Sequence, residues 1–197
     1  MPGLIKVVCL PHPSKYRFSQ VIVDDEPFRD MASAQVKNCD LAGSYVSQEA
    51  WVSTWDQWEI RQIKALAYDR LSRRTYFTHE LKKLISKLGF AEGRVEKVLM
   101  EIQKLGYLND DESVERYISQ GIRKKKSPAW IRHSLRQKVG ENVEFDKEVA
   151  YPKEVRESVI RELLMKNRKK GQKAIAIVAR KGFAFDEIIT IFNSIKE

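Results

Sequence analysis

LKKLISKLGFAEGRVEKVLMEI (residues 81–102) returns later in the chain as AIAIVARKGFAFDEIITIFNSI (residues 174–195). Two copies of one amphipathic unit predict a mainly α-helical fold built of tandem repeats. In each copy a basic helix closes at Gly-Phe (Gly89, Phe90; Gly182, Phe183) and another opens within two or three residues. Glycine suits the left-handed turn that stops a helix, and the phenylalanine can fold back on the last turn. A looser copy lies between the two, where Ser127, Pro128, Trp130, Ile131, Leu135 and Val139 mark a helix that closes at Gly140. There the serine caps and the proline fits the first turn.

Working outward, each unit gains a leading helix, predicted over 59–72, 111–123 and 153–169. Ile63, Leu66, Ala67, Leu71 and then Val95, Val98, Leu99, Ile102 recur at three- and four-residue steps, the spacing of a helix face and not of a strand. A single such stripe cannot be buried alone, so neighbouring units are expected to stack. The expected architecture is three tandem three-helix repeats, 57–110, 111–151 and 152–197, forming an elongated curved array behind a small strand-containing segment, 1–56.

That segment has a different texture. Residues 5–10 and 16–23 are rich in Val, Ile and aromatics and flank Pro11, His12, Pro13 and Ser14, a hairpin pattern. Asp24-Asp25-Glu26-Pro27 turns the chain before a short extended piece near Phe28. A helix is expected over 42–59, with Trp51, Trp55 and Trp58 on one face. These rings could stack bases, but no basic residue is interleaved with them, so buried packing is the expectation.

Composition narrows the function. Residues 1–56 carry five Lys/Arg against seven Asp/Glu, whereas 57–197 carry thirty-one against twenty, so the net charge of +9 belongs to the helical part. Residues 116–140 hold eight basic residues and no acid, and 163–185 hold seven and no acid. Ordinary soluble surfaces mix the signs, so these runs point to a polyanionic or acidic partner. No apolar run reaches membrane-span length and the start lacks the pattern of a secretory leader, so a cytoplasmic protein is the expectation, and the absence of a broad exposed apolar stripe favours a monomer. Cys9 and Cys39 match neither a metal knuckle nor a redox pair.

No catalytic constellation is visible. His12, His79 and His133 have no cysteine, serine elbow or carboxylate cluster beside them in sequence, and the glycines are isolated at helix ends instead of forming a phosphate loop. Asn109-Asp110-Asp111-Glu112 lacks the spaced oxygens of a calcium loop and suits a helix start. No metal, cofactor or enzymatic activity is expected. The positive signal is the repeated placement of cations. Lys82, Lys83 and Lys87 fall in the second helix of the first unit, Arg132, Arg136 and Lys138 in that of the second, and Arg180 and Lys181 in that of the third. Arg123-Lys124-Lys125-Lys126 and Arg168-Lys169-Lys170, with Lys173, fall in equivalent turns before the second helix.

Leu105-Gly-Tyr-Leu-Asn-Asp-Asp-Glu112, then Arg116-Tyr117, Lys124 to Lys126, Ser127-Pro128 and Ile131-Arg-His-Ser-Leu-Arg-Gln-Lys138 resemble the central signature of the RecX regulatory proteins. Arg180-Lys-Gly-Phe-Ala-Phe-Asp186 resembles the end of the same family, so the likeness covers about 58–197. It implies tandem three-helix repeats and a non-enzymatic protein that binds the RecA recombinase filament on single-stranded DNA, restraining its ATP hydrolysis and strand exchange in repair and the damage response. DNA contact is implied to be non-specific and extends to duplex. The implied contact residues are Arg123, Lys124, Lys125, Lys126, Arg132, Arg136 and Lys138, flanked by Lys82, Lys83, Lys87, Lys170, Lys173, Arg180 and Lys181. Two departures stand out: Val139-Gly140 reverses the family's usual order, and 141–151, where a third helix belongs, is short and acidic before Pro152. The competing readings are a helical DNA-binding protein with no recombinase partner and a scaffold for acidic protein surfaces.

Overall fold

The structure, a computed structural model, describes residues 4–37, 41–140 and 150–195. It is mainly helical with a small antiparallel sheet near the amino terminus, and it divides into two compact units, Met1–Asn109 and Asp110–Glu197.

In the first unit, strands β1 (Ile5–Pro11), β2 (Phe18–Val23), β3 (Glu26–Ala32) and β4 (Gly43–Tyr45) form a sheet of order β3-β2-β1-β4. β1 and β2 pair as the expected antiparallel hairpin, with Val8 opposite Ile22. Asp24 and Asp25 turn β2 into β3 with φ of 49° and 63°, the mirror-image turn geometry that follows strand twist. A one-turn helix, α1 (Ser33–Val36), follows β3.

The expected helix over 42–59 is corrected at its start. Gly43 to Tyr45 pairs with β1, Ile5 opposite Tyr45, because a sheet edge offers backbone partners that local sequence does not reveal. The helix begins only after Ser47, whose hydroxyl accepts the Ala50 N–H at 3.2 Å. Once begun, α2 (Gln48–Arg73) runs unbroken for 26 residues, passing through the position between 56 and 57 without a turn.

One face of α2 is a row of indoles under the sheet. Trp51, Trp55 and Trp58 are buried with Val7, Val21 and Met31, and ring centroids step along at 5.6 Å and 5.0 Å before Trp58 meets Phe90 at 6.3 Å. Burial of each such side chain contributes roughly 1.5–3 kcal/mol. The farther part of α2 packs through Ile63 and Ala67 onto α3 (Thr78–Ser86) and α4 (Glu92–Lys104), whose Leu81, Ile85, Val95, Val98, Leu99 and Ile102 complete the same core. The turn between α3 and α4 is where the sheet is seated. The Ala32 N–H donates to the Leu88 carbonyl at 2.8 Å, and Gly89, with φ of +98°, lies so close that a Cβ there would sit 2.1 Å from the Asp30 carbonyl oxygen. Glycine is required on both counts.

The second unit contains α5 (Asp110–Arg123), α6 (Pro128–Val139), α7 (Lys153–Lys166), a 3-10 turn (Arg168–Lys170), α8 (Lys173–Ala179) and α9 (Phe185–Ser194). Asp110, Asp111 and Glu112 occupy the first turn of α5, where the helix dipole favours carboxylates. Gly121 lets α6 approach closely: a Cβ there would meet Ile131 Cδ1 at 2.7 Å. Ser127 caps α6 by accepting the Trp130 N–H, with Pro128 in the first turn as expected. Gly182, at φ +86°, packs against that cap, and a Cβ on it would lie 2.7 Å from Ser127 Oγ. The leading helix expected over 153–169 ends at Lys166 and gives way to the 3-10 turn. The third helix expected over 141–151 falls mostly on 141–149, outside the described residues, as does Cys39; Cys9 is half-buried in β1 and forms no disulfide among the described residues. Pro152 stands at the N-cap of α7.

Candidate nucleic-acid interface

The cations singled out from the sequence fall into two groups when their partners are considered. Lys83, Lys87, Arg123, Lys124, Arg136, Lys170, Lys173, Arg180 and Lys181 are exposed. Others have intramolecular work. Lys82 bridges Glu92 at 2.7 Å and Glu96 at 2.6 Å, which ties α3 to α4, and the two carboxylates, Glu92 first, hold its ammonium above the usual lysine pKa. Lys125 pairs with Glu162 of α7. Arg132 and Lys138 are half-buried on α6, and the Lys138 ammonium sits 5.9 Å from the Tyr117 ring centroid. Neutralising partners for Lys82 and Lys125 come from later helices, so the linear sequence overstated the free charge at these two positions.

Local geometry presents the basic run of the second unit in a defined way. The Lys126 N–H returns to the Gly121 carbonyl at 3.0 Å and the Lys125 N–H to Ile122 at 2.8 Å, the paired bonds that close a helix through a left-handed residue. That residue is Lys125, φ 55°. Arg123 and Lys124 are therefore fixed on the last turn of α5 and project outward at its carboxyl end, where cations are favoured by the dipole. Arg168–Lys170 forms the corresponding turn between α7 and α8, with every residue exposed.

In the first unit, His79, Lys82, Lys83, Ser86, Lys87 and Glu92 line an open cleft of about 370 Å³. Two of its lysines, Lys83 and Lys87, are exposed one helical turn apart. Such a cleft can accept a phosphate-sized anion. His12 is locked in its turn, its Nδ1 accepting the Lys15 N–H at 2.9 Å and its Nε2 3.2 Å from Asp30. Among the described residues no group of three or more His, Cys, Asp or Glu is gathered to hold a metal, and no helix is long and apolar enough to cross a membrane.

Sequence reasoning missed one residue of this surface. Trp130, read as a marker of the α6 stripe, is 42% exposed, while Trp51, Trp55 and Trp58 are at most 5% exposed. Its ring lies under the Lys126 ammonium, 4.4 Å from nitrogen to centroid. The signal available in the sequence was its position inside an acid-free run directly after four consecutive cations.

The class defined by these features is a mainly helical protein with a small amino-terminal antiparallel sheet and clustered exposed cations. No family model matches the chain. It is 38% identical over 68 residues to the regulatory protein RecX of Legionella pneumophila strain Corby, a match covering 34% of this chain, and to the protein of the same name from Legionella pneumophila with the same figures. The match spans 45% of the length of each of these curated relatives. Among solved structures, the crystal structure of a regulatory protein RecX shares the fold with a TM-score of 0.59 at 20% identity, covering 96% of this chain and 99% of the other. RecX from Lactobacillus salivarius gives 0.60 at 21% identity over 70% of this chain and 97% of its own. The chain thus resembles proteins named regulatory protein RecX over 68 residues and shares the fold of two RecX crystal structures.

Proposed function

We propose that this chain is a non-catalytic regulator that binds a RecA recombinase filament on single-stranded DNA and restrains its ATP turnover and strand exchange. The observation that supports the reading is the exposure of Arg123 and Lys124 at the end of α5, Arg136 on α6, and Lys170, Lys173 and Lys181 around α8, which ends at Ala179, before the Arg180 and Lys181 that the sequence placed in it. The similarity to proteins named regulatory protein RecX supports it. We assign these residues to three-helix repeats, 57–110, 111–151 and 152–197, acting in the cytoplasm. Cations repeated at one place in successive repeats match a ligand whose charge is itself periodic, as phosphates on a filament are. A protein that contacts neighbouring recombinase subunits holds them in one relative arrangement, and turnover that needs them to move slows.

The test is RecA ATP hydrolysis on single-stranded DNA at physiological salt, with this protein titrated far below the recombinase. Suppression at substoichiometric ratios supports filament regulation. Suppression that appears only once the protein coats the DNA means competition for the strand, and replaces the proposal with a helical DNA-binding protein that has no recombinase partner.

A further inference from the structure

Tryptophan is the side chain a fold has most to gain by burying, and this chain buries three of its four. Trp130 is the exception, and its surroundings differ from those of the exposed Phe185 and Tyr107. Phe185 is followed by Asp186 and Glu187, and Tyr107 stacks edge-on against Tyr68 at 5.5 Å. Trp130 stands in residues 116–140, which contain no acid, between exposed Lys124 and Arg136 in sequence. On α6 it shares a face with His133 and Gln137, at three- and four-residue steps, and these two are joined side chain to side chain at 3.0 Å. The opposite face, Ile131 and Leu135, is buried.

An exposed indole with an ammonium over its ring, in a stretch of exposed cations, suits single-stranded nucleic acid: a base stacks on the ring while cations hold the flanking phosphates. We infer that Trp130 is a base-stacking platform for single-stranded nucleic acid, with Lys126 pairing the phosphate next to the stacked base. The inference rests on the proposed DNA-binding role but adds to it a contact to the bases, where the cations alone would see only the backbone. Because every base has a stacking face, the contact discriminates single strand from duplex and not one sequence from another. Acidic protein partners fit less well, since they offer carboxylates but no ring to stack.

The wild-type protein carries its own probe. With Trp51, Trp55 and Trp58 buried, the component of intrinsic fluorescence that acrylamide quenches reports Trp130. Titration with a thymidine oligonucleotide, with no recombinase present, is expected to quench that component and shield it from acrylamide, whereas an abasic deoxyribose-phosphate oligomer of equal length binds without doing so. Trp130→Ala should weaken oligonucleotide binding about tenfold, the effect of losing one stacked base, and Trp130→Phe should lose less. Binding of the abasic and thymidine oligomers with the same affinity and the same fluorescence overturns the inference. So does shielding of Trp130 by RecA alone, which would make the surface a protein contact. If wild-type protein fails to restrain RecA but the stacking signals hold, the regulatory reading falls and this one stands; if Trp130→Ala changes neither DNA binding nor RecA restraint, the reverse is true.

Discussion

Arg94 of α4 lies 2.8 Å from the wholly buried carboxylate of Glu59 in α2, and at the corresponding place in the later copy of the unit Glu187 of α9 lies 3.1 Å from the buried guanidinium of Arg156 in α7. The ion pair that joins α2 to α4 and the one that joins α7 to α9 have their charges exchanged. The Glu59 carboxylate also accepts the Ala91 N–H at 2.7 Å and Arg156 donates to the Tyr151 carbonyl, so each pair also satisfies a backbone group near a helix start. Nothing in the amphipathic pattern required this polarity; it requires only that the two members be opposite.

Glu59→Ala removes the acceptor of the Ala91 N–H, while the half-exposed Arg94 keeps its ion pair with Asp56. It is expected to destabilise the first unit by about 1–3 kcal/mol, read as a lower urea midpoint. Glu59→Gln, which can still accept from Ala91, should lose less. Equal and small losses for both would show that the pair contributes little.

Two glycines of one unit should respond oppositely to alanine. Gly89→Ala places a methyl group against the Asp30 carbonyl in a left-handed conformation and should unseat the sheet from the α3–α4 turn, with a large drop in melting temperature. Gly93 lies within α4 with open space around it, so Gly93→Ala should stabilise by about 0.5–1 kcal/mol. Thermal melts of the two variants beside the parent check both signs.

Alkaline stability should depend on Tyr151. Its ring is fully buried, its hydroxyl has no hydrogen-bond partner among the described residues, and burial, only partly opposed by Arg156, pushes the phenol up to about 12 from an ordinary value of 10.0. The folded form therefore keeps its proton where the unfolded chain has released it. Stability from this group is intact below pH 10 and is lost as pH rises through about 12. Tyr151→Phe should be neutral or stabilising at pH 7 and should flatten that alkaline loss, measured as urea midpoints at several pH values.

Exposed and engaged cations should separate in salt titrations. Replacing Arg123, Lys124 and Arg136 together by alanine should reduce the salt slope of single-stranded DNA binding by about 2, at roughly 0.7 for each phosphate no longer neutralised, with helicity unchanged. Lys82→Ala should leave the slope nearly as it was, while freeing Glu92 and Glu96 and loosening α3 from α4. A slope insensitive to the triple change would place the DNA contact elsewhere.

Local chemistry explains which parts of this molecule could be read from its sequence. The Gly89 and Gly182 turns, the Ser127 cap, the acidic start of α5 and the β1–β2 hairpin are each specified by residues within a few positions of one another. β4 was not legible, since Gly43 to Tyr45 becomes a strand only by meeting Ile5 to Val7 across the sheet. The continuity of α2 was hidden for a related reason: the indole face serves the sheet and the aliphatic face serves α3 and α4, so one helix has two successive patterns. At the candidate site, the positions of the cations were plain but their neutralisation was not, because Glu162 reaches Lys125 from a helix far along the chain. Trp130 was legible only as a marker of the helix, because residue spacing does not tell an exposed apolar side chain from a buried one, and the solvent exposure of that face of α6 revealed it.

Because α2 is a single helix from Gln48 to Arg73, the sheet and the first helical unit have no seam at which they can be parted. A coding sequence trimmed to begin at residue 57 would start in the middle of a core, with Trp58 and Glu59 deprived of Trp55 and Arg29. The amino-terminal sheet is thus kept together with α2, α3 and α4 or lost together with them, and cannot be exchanged as a separate module.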